Sequence, residues 1–266
     1  MPARMNRKKK TYPLRALFKR LAILLLLLAY VASSAVSFLL PSGARRDFCI
    51  RNTSLFSKIA LVLFGVHVDK RHEECFRGGQ GGRLIVVNHI SYVDVLVLSS
   101  LLPSVFITSV ELKHTRLLGL LARFGGSLFV ERRRPADLKQ EIDDIARVLK
   151  QGFPVVLFPE GTTSNGDRVH LFKRSLFDAA IQSGTDILPV CLKYRRINGQ
   201  AVSHLNRDDL YYYGGVRFSD HFPRFLSLRS VDVQVTPLKA VKALPHSSRK
   251  ELAWETHEAI SKAYGA

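Results

Sequence analysis

The strongest pattern along the chain is an unbroken apolar run, Leu21 to Leu40 (LAILLLLLAYVASSAVSFLL), twenty residues without a charge. As a helix it would be about 30 Å long, the thickness of a bilayer's hydrocarbon core. A soluble core helix is rarely apolar all round. A second apolar stretch, Ile59 to Val66 (IALVLFGV), follows Leu55 and Phe56. It is too short to span comfortably but long enough to dip into one leaflet, and on length alone it fits a buried helix of a soluble domain equally well. As a hairpin, two membrane helices would return the chain to the side it started from.

Beyond RGGQGGR, at Arg77 to Arg83, the pattern changes. Those glycines predict a flexible joint, since their spacing fits neither a dinucleotide fingerprint nor a P-loop. Short, continuous apolar runs follow at Leu84 to Val87, Val105 to Thr108, Ser127 to Val130, Val155 to Phe158 and Ile187 to Leu192. Most are β-branched, the signature of strands buried on both faces. Between them, Leu138, Ile142, Ile145 and Leu149 give Pro135 to Lys150 a one-sided helical period that stops at Gly152. Leu176, Phe177, Ala180 and Ile181 do the same for Lys173 to Ser183, before Gly184. The alternation predicts an α/β fold, a mostly parallel central sheet covered by helices, with an N-terminal membrane-associated helical pair. After Tyr194 the signals weaken to a polar loop at Tyr211 to Tyr213, a strand at Val231 to Val235 and a terminal helix from about Arg249 to Tyr264.

A length of 266 residues accommodates one sizeable α/β domain with an appendage. The expected division is a basic cytoplasmic tail over 1–20, membrane-anchoring helices over 21–76 and a catalytic domain over 77–266. Forty Lys and Arg against twenty-two Asp and Glu leave a formal charge of +18, which suits an anionic partner. Eight of the positive charges, from Arg4 to Arg20, precede the first acidic residue, Asp47. Beside an apolar run this tail reads as an anionic-membrane contact rather than a nucleic-acid one. It also places the N-terminus in the cytoplasm by the positive-inside rule. A cleaved signal peptide has the same basic-then-apolar order, but its apolar region usually holds only about 7 to 15 residues. Cys49, Cys75 and Cys191 are too few for a disulfide framework and too scattered for a zinc site.

Candidate chemistry gathers at strand ends, where ligand sites form in open α/β sheets. Directly after Leu84 to Val87 comes NHISYVD. A helix starting near Tyr92 would put Asp94 in its first turn, able to accept the Nδ1 proton of His89 and leave Nε2 as a base. The spacing alone is weak evidence, because nine histidines and thirteen aspartates give about 0.4 such pairs by chance. A second pair, His204 and Asp209, lies in a polar loop with no strand before it. FPEGTTS, Phe158 to Ser164, ends another strand, with Glu160 as a candidate anchor for a substrate hydroxyl or, more plainly, a solvated turn residue. GSLFVERRR, Gly126 to Arg134, ends a third with three arginines suited to phosphate.

Together these segments resemble the glycerolipid acyltransferase family, which includes lysophosphatidic acid acyltransferases. The likeness runs from about Arg83 to Val190, with four family blocks in order: NHISYVD, GSLFVER, FPEG and ILPV. The resemblance implies His89 and Asp94 as catalytic pair, with substrate binding at Arg132, Glu160, Gly161, Thr162 and Pro189. It further implies direct attack of a lysolipid hydroxyl on an acyl thioester, carried by CoA or acyl carrier protein, with no acyl-enzyme, metal or other cofactor. The helical pair would rest in the membrane, with the active site on the cytoplasmic face. No G-x-S-x-G elbow or H-E-x-x-H site argues otherwise. One position departs from the pattern: many lysophosphatidic acid enzymes carry Arg after FPEGT, where this chain has Thr163. The resemblance makes 1-acyl-glycerol-3-phosphate the acceptor expected, and Thr163 adds the alternative of a lyso-ornithine lipid or another lysolipid. A membrane-tethered hydrolase using the same His and Asp, and a non-catalytic lipid-binding protein, are the readings from other classes.

Overall fold

A computed structural model describes residues 13–69, 76, 82–131 and 138–265. The apolar run is carried by α1 (Pro13–Ala35), which tightens into a 3-10 turn at Val36–Leu39 instead of continuing to Leu40. Over Phe18–Leu39 the helical segment is long and apolar enough to cross a membrane, by length and composition. Of the basic tail, residues 1–12 lie outside the described residues, and 13–20 already belong to α1. An antiparallel partner, α2 (Ser42–Phe64), packs along α1. Polar side chains join the two, with the Asn52 amide donating to Ser34 Oγ at 2.9 Å and Tyr30 Oη 2.9 Å from Thr53 Oγ1.

The second apolar stretch has two faces. Ala60, Leu61 and Phe64 are buried in the core, whereas Leu55, Ile59 and Val62 stay exposed. Val66 is not helical at all. Gly65 ends α2 at φ 73°, a conformation that costs a side chain dearly, and a Cβ there would lie 2.4 Å from the Arg229 carbonyl oxygen. The chain then enters β1 (Val66–Asp69). The sheet thus begins upstream of the glycine-rich joint expected near 77, of which residues 77–81 lie outside the described residues.

The remaining strands are β2 (Leu84–Val87), β3 (Val105–Ser109), β4 (Leu128–Val130), β5 (Val155–Leu157), β6 (Ile187–Ile197), β7 (Gln200–Ala201) and β8 (Val231–Pro237). Their order is β1-β8-β6-β2-β5-β3-β4, with β7 paired to the far end of β6. From β6 to β4 the strands are parallel; β8 runs antiparallel to β6, with β1 parallel to β8. Alternation along β2 sorts the core. Ile85 and Val87 face a cluster with α2, α3 (Val93–Leu101) and α8 (Phe218–Leu226), while Leu84 and Val86 face α6 (Leu138–Lys150), α7 (Asp178–Ser183) and α9 (Arg249–Gly265). Two short helices, α4 (Val110–Lys113) and α5 (Arg116–Phe124), join β3 to β4. Because five strands run in parallel, the loops after β2, β5 and β4 open on one edge of the sheet, as the sequence pattern expects.

Candidate active site

At the end of β2, Asn88 replaces the ladder with its side chain: its amide donates to the Leu192 carbonyl at 2.9 Å, and its Oδ1 accepts from Leu192 N at 2.8 Å. The backbone is thereby released into the turn His89–Ser91, which leads into α3. Asp94 sits in the first turn of α3, fully buried. Its Oδ2 accepts from Ile90 N (2.7 Å), Ser91 N (3.0 Å) and His89 Nδ1 (2.9 Å). A buried carboxylate is tolerated when donors and a helix N-terminus share its charge, and both are present here. With Asp94 ionised, the shared proton belongs on Nδ1 and the Nε2 lone pair is left free.

The rest of His89 is fixed as firmly. Glu160 Oε1 accepts from its N–H at 2.7 Å, its carbonyl accepts from Ser164 N at 2.8 Å, and its ring stacks on Phe158 at 3.9 Å between centroids. Its side chain keeps 18 % of its surface exposed, so the imidazole has one open side. Loop FPEGTTS thus serves as the other jaw of the histidine's clamp.

Glu160 differs from its expected place. It is buried, with Oε2 accepting from His170 N at 2.8 Å, so both oxygens are engaged in tying the His89 and His170 backbones together. Neither a solvated turn nor a carboxylate facing substrate describes it. Burial pushes its carboxyl up to about 7, against the pull of the two backbone donors, and the nearby Asp94 charge adds to the rise. Gly161 has φ 74°, and its missing Cβ leaves room for the Lys173 ammonium, which would lie 2.8 Å from such an atom. Thr162 is exposed on the same turn. Pro189 is an interior residue of β6, buried opposite Val86. That puts it about 10 Å short of His89 along the strand direction, packing the sheet rather than lining the turn. Arg132 lies outside the described residues. Of the competing pair, His204 is exposed in a surface loop.

The C-terminal segment holds what the sequence pattern leaves without a role. Tyr194 is buried and its hydroxyl donates to Asp94 Oδ1 at 2.6 Å. Leu210 and Tyr211 are also buried, so the tyrosine-rich loop is not a polar surface loop. The Leu210 carbonyl accepts from Ser91 Oγ at 2.8 Å, and Tyr212 N donates to the Ile90 carbonyl at 3.1 Å. Only proximity across a hundred residues or more reveals these partners; within the sequence, Tyr194 is one more apolar-face residue after a strand.

Comparison with known proteins gives concordant likenesses. The family described as Acyltransferase matches residues 66–193. The lyso-ornithine lipid O-acyltransferase of Rhizobium meliloti (strain 1021) is 36% identical over 203 residues, 74% of this chain and 68% of that protein. The 1-acyl-sn-glycerol-3-phosphate acyltransferase of Neisseria gonorrhoeae is 28% identical over 179 residues, 67% of this chain and 68% of that one. In fold, the chain resembles the crystal structure of the 1-acyl-sn-glycerophosphate (LPA) acyltransferase PlsC from Thermotoga maritima. The TM-score is 0.65 at 20% identity, covering 95% of this chain and 94% of that one.

Proposed function

This chain belongs to the acyltransferase family, and from that premise we propose that it transfers a fatty acyl group from a thioester to the free hydroxyl of a membrane lysolipid, with His89 as general base. The observation that carries this reading is the held imidazole: Nδ1 on Asp94, backbone on Glu160 and Ser164, ring on Phe158, and one side open. In the reaction Nε2 takes the proton of the acceptor hydroxyl as its oxygen attacks the thioester carbonyl. Asp94 stabilises the imidazolium so formed. Collapse of the tetrahedral intermediate breaks the C–S bond, and the thiolate leaves with the proton returned from Nε2. A thiolate is a good leaving group, so no covalent acyl-enzyme is required. CoA or acyl carrier protein serves as the carrier.

For the acceptor, Thr163 favours a lysolipid without a phosphomonoester, such as the lyso-ornithine lipid in the Rhizobium meliloti relative's name. The second reading, 1-acyl-glycerol-3-phosphate, draws support from the Lys173 ammonium beside Gly161 and from Arg132 in the family's second block. Purified enzyme offered both acceptors with one acyl thioester separates them: a ratio of kcat/KM above one for the lyso-ornithine lipid favours the first, and the reverse favours the second.

The lysolipid acceptor resides in the bilayer, and α1 is shaped to meet it there. Phe18, Leu21, Leu24, Leu25 and Leu28 are exposed apolar residues along α1, and Leu55, Ile59 and Val62 are exposed on α2. Lys19 tethers the helix to the domain by donating to the carbonyls of Leu226 at 3.2 Å and Leu228 at 3.3 Å. In this reading the pair rests in one leaflet, the basic tail lies on its anionic surface, and the active site faces the cytoplasm, where soluble acyl carriers are found.

A further inference from the structure

The two oxygens of Asp94 have different partners. Oδ2 serves the histidine turn, whereas Oδ1 accepts from the hydroxyl of Tyr194, at 2.6 Å the shortest of the four bonds to this carboxylate. Tyr194 comes from an overhang. β2 ends opposite Val190, but β6 continues to Ile197, so its last turns of pleat stand beside the histidine turn rather than beside a strand. Directly after Tyr194 the pairing of β6 with β8 slips by one residue, at Arg195. Such bulges re-aim side chains and end the regular alternation. The family match ends at Lys193, one residue before this tyrosine.

We propose that Tyr194 is a positioning residue of the acyl-transfer site, holding Asp94 Oδ1 so that Oδ2 stays aimed at Nδ1 of His89. The proposal rests on His89 being the base. A tyrosine that merely filled the core would need its ring alone, and that ring does sit in the core beside Tyr211, 5.9 Å between centroids. The hydroxyl adds something separable. By sharing the negative charge of Asp94 it limits the charge felt by His89, and hence how tightly the imidazole binds a proton. The other titratable groups facing the pair are Glu160, on the His89 backbone, with His170 behind it, Tyr92 and Tyr211, near Tyr194, and Tyr264 of the terminal helix, which lies within electrostatic reach of Asp94 and Glu160. Burial holds all four tyrosines, Tyr194 included, above their ordinary range, so they keep their protons throughout the working pH span.

Tyr194→Phe keeps the ring and removes the donor. The acidic limb of kcat/KM is expected to move up by about 0.5 to 1 pH unit, and kcat at pH 7 to fall about tenfold, the loss of one charged hydrogen bond. KM stays within about twofold, because Tyr194 does not face substrate. Replacing Tyr194 with 3-fluorotyrosine, a stronger donor of the same shape, should move the limb the other way and covers the case in which the Phe variant folds poorly. The His89 imidazole titration, followed by NMR in detergent, reads the same midpoints without any assay of transfer. If transfer is absent in the wild type, the acyltransferase reading fails while the NMR midpoints still decide the role of Tyr194. Midpoints unchanged in both variants, with only a lower melting temperature for Tyr194→Phe, would overturn the proposal.

Discussion

Asp94→Asn separates the charge of the carboxylate from its geometry. The carboxamide oxygen can take the Oδ2 place and accept from Ile90 N, Ser91 N and His89 Nδ1, because an NH2 group there would face three donors. Its NH2 then falls in the Oδ1 place, where the Tyr194 hydroxyl rotates to accept instead of donating. Shape and tautomer survive, and the negative charge does not. In the transition state the imidazolium and the carboxylate have charge centres about 4 Å apart, worth about 4 kcal/mol at an effective dielectric constant near 20. Losing that interaction slows kcat by about 10³-fold, since each 1.36 kcal/mol is tenfold. The assay is steady-state transfer of a radiolabelled acyl group to a lysolipid in mixed micelles near pH 8, with near-UV circular dichroism to show that the fold persists. A loss below tenfold in a folded variant refutes the argument, because the Asp94 charge would then contribute little to the imidazolium.

Other perturbations probe the remaining parts. Glu160 gains its proton more readily folded than unfolded, so its contribution to stability is full below about pH 4.5 and is lost as pH rises through about 7. In Glu160→Gln that dependence disappears: relative to the variant, wild type should lose up to about 3 kcal/mol between pH 5 and 8 in thermal melts, and a difference independent of pH contradicts the buried titration. Leu21→Glu with Leu25→Glu places charges among the exposed apolar residues of α1 and should lower sedimentation with anionic vesicles more than tenfold; unchanged sedimentation removes those residues as the membrane contact. Arg132→Ala should raise KM for a phosphorylated acceptor by about tenfold and leave a lyso-ornithine lipid unaffected, whereas an equal fall in kcat for both is incompatible with a phosphate-binding role.

Much of the architecture was legible because buried parallel strands write themselves as continuous β-branched runs. Leu84–Val87 appears with its expected bounds, and α9 begins at Arg249 as its period suggests. What escaped had identifiable causes. β1 is four residues at the sheet edge, disguised by the apolar helix that feeds it. α5 carries Gly119 in its middle, where a Cβ would meet the Lys113 carbonyl oxygen at 2.6 Å, so a packing requirement looks like a helix breaker. α8 contains Pro223. At the site, the His89 and Asp94 pairing was readable because five residues and one helix start fix it locally. For Glu160 the turn sequence marks the residue but not its burial, since it does not show that both carboxylate oxygens accept from backbone donors. Tyr194 could not be found locally, because its partner lies 100 residues away.

The central claim is that the open nitrogen of His89 removes the proton from a lysolipid hydroxyl during transfer from a thioester. It is tested most directly by presenting purified protein in lipid micelles with labelled acyl-CoA and acyl carrier protein donors and a panel of lysolipids, in parallel with His89→Ala. The account predicts a diacylated lipid product and free thiol in equal amounts from the wild type, and neither above background from a folded His89→Ala variant. Product formation at undiminished rate by His89→Ala would contradict it.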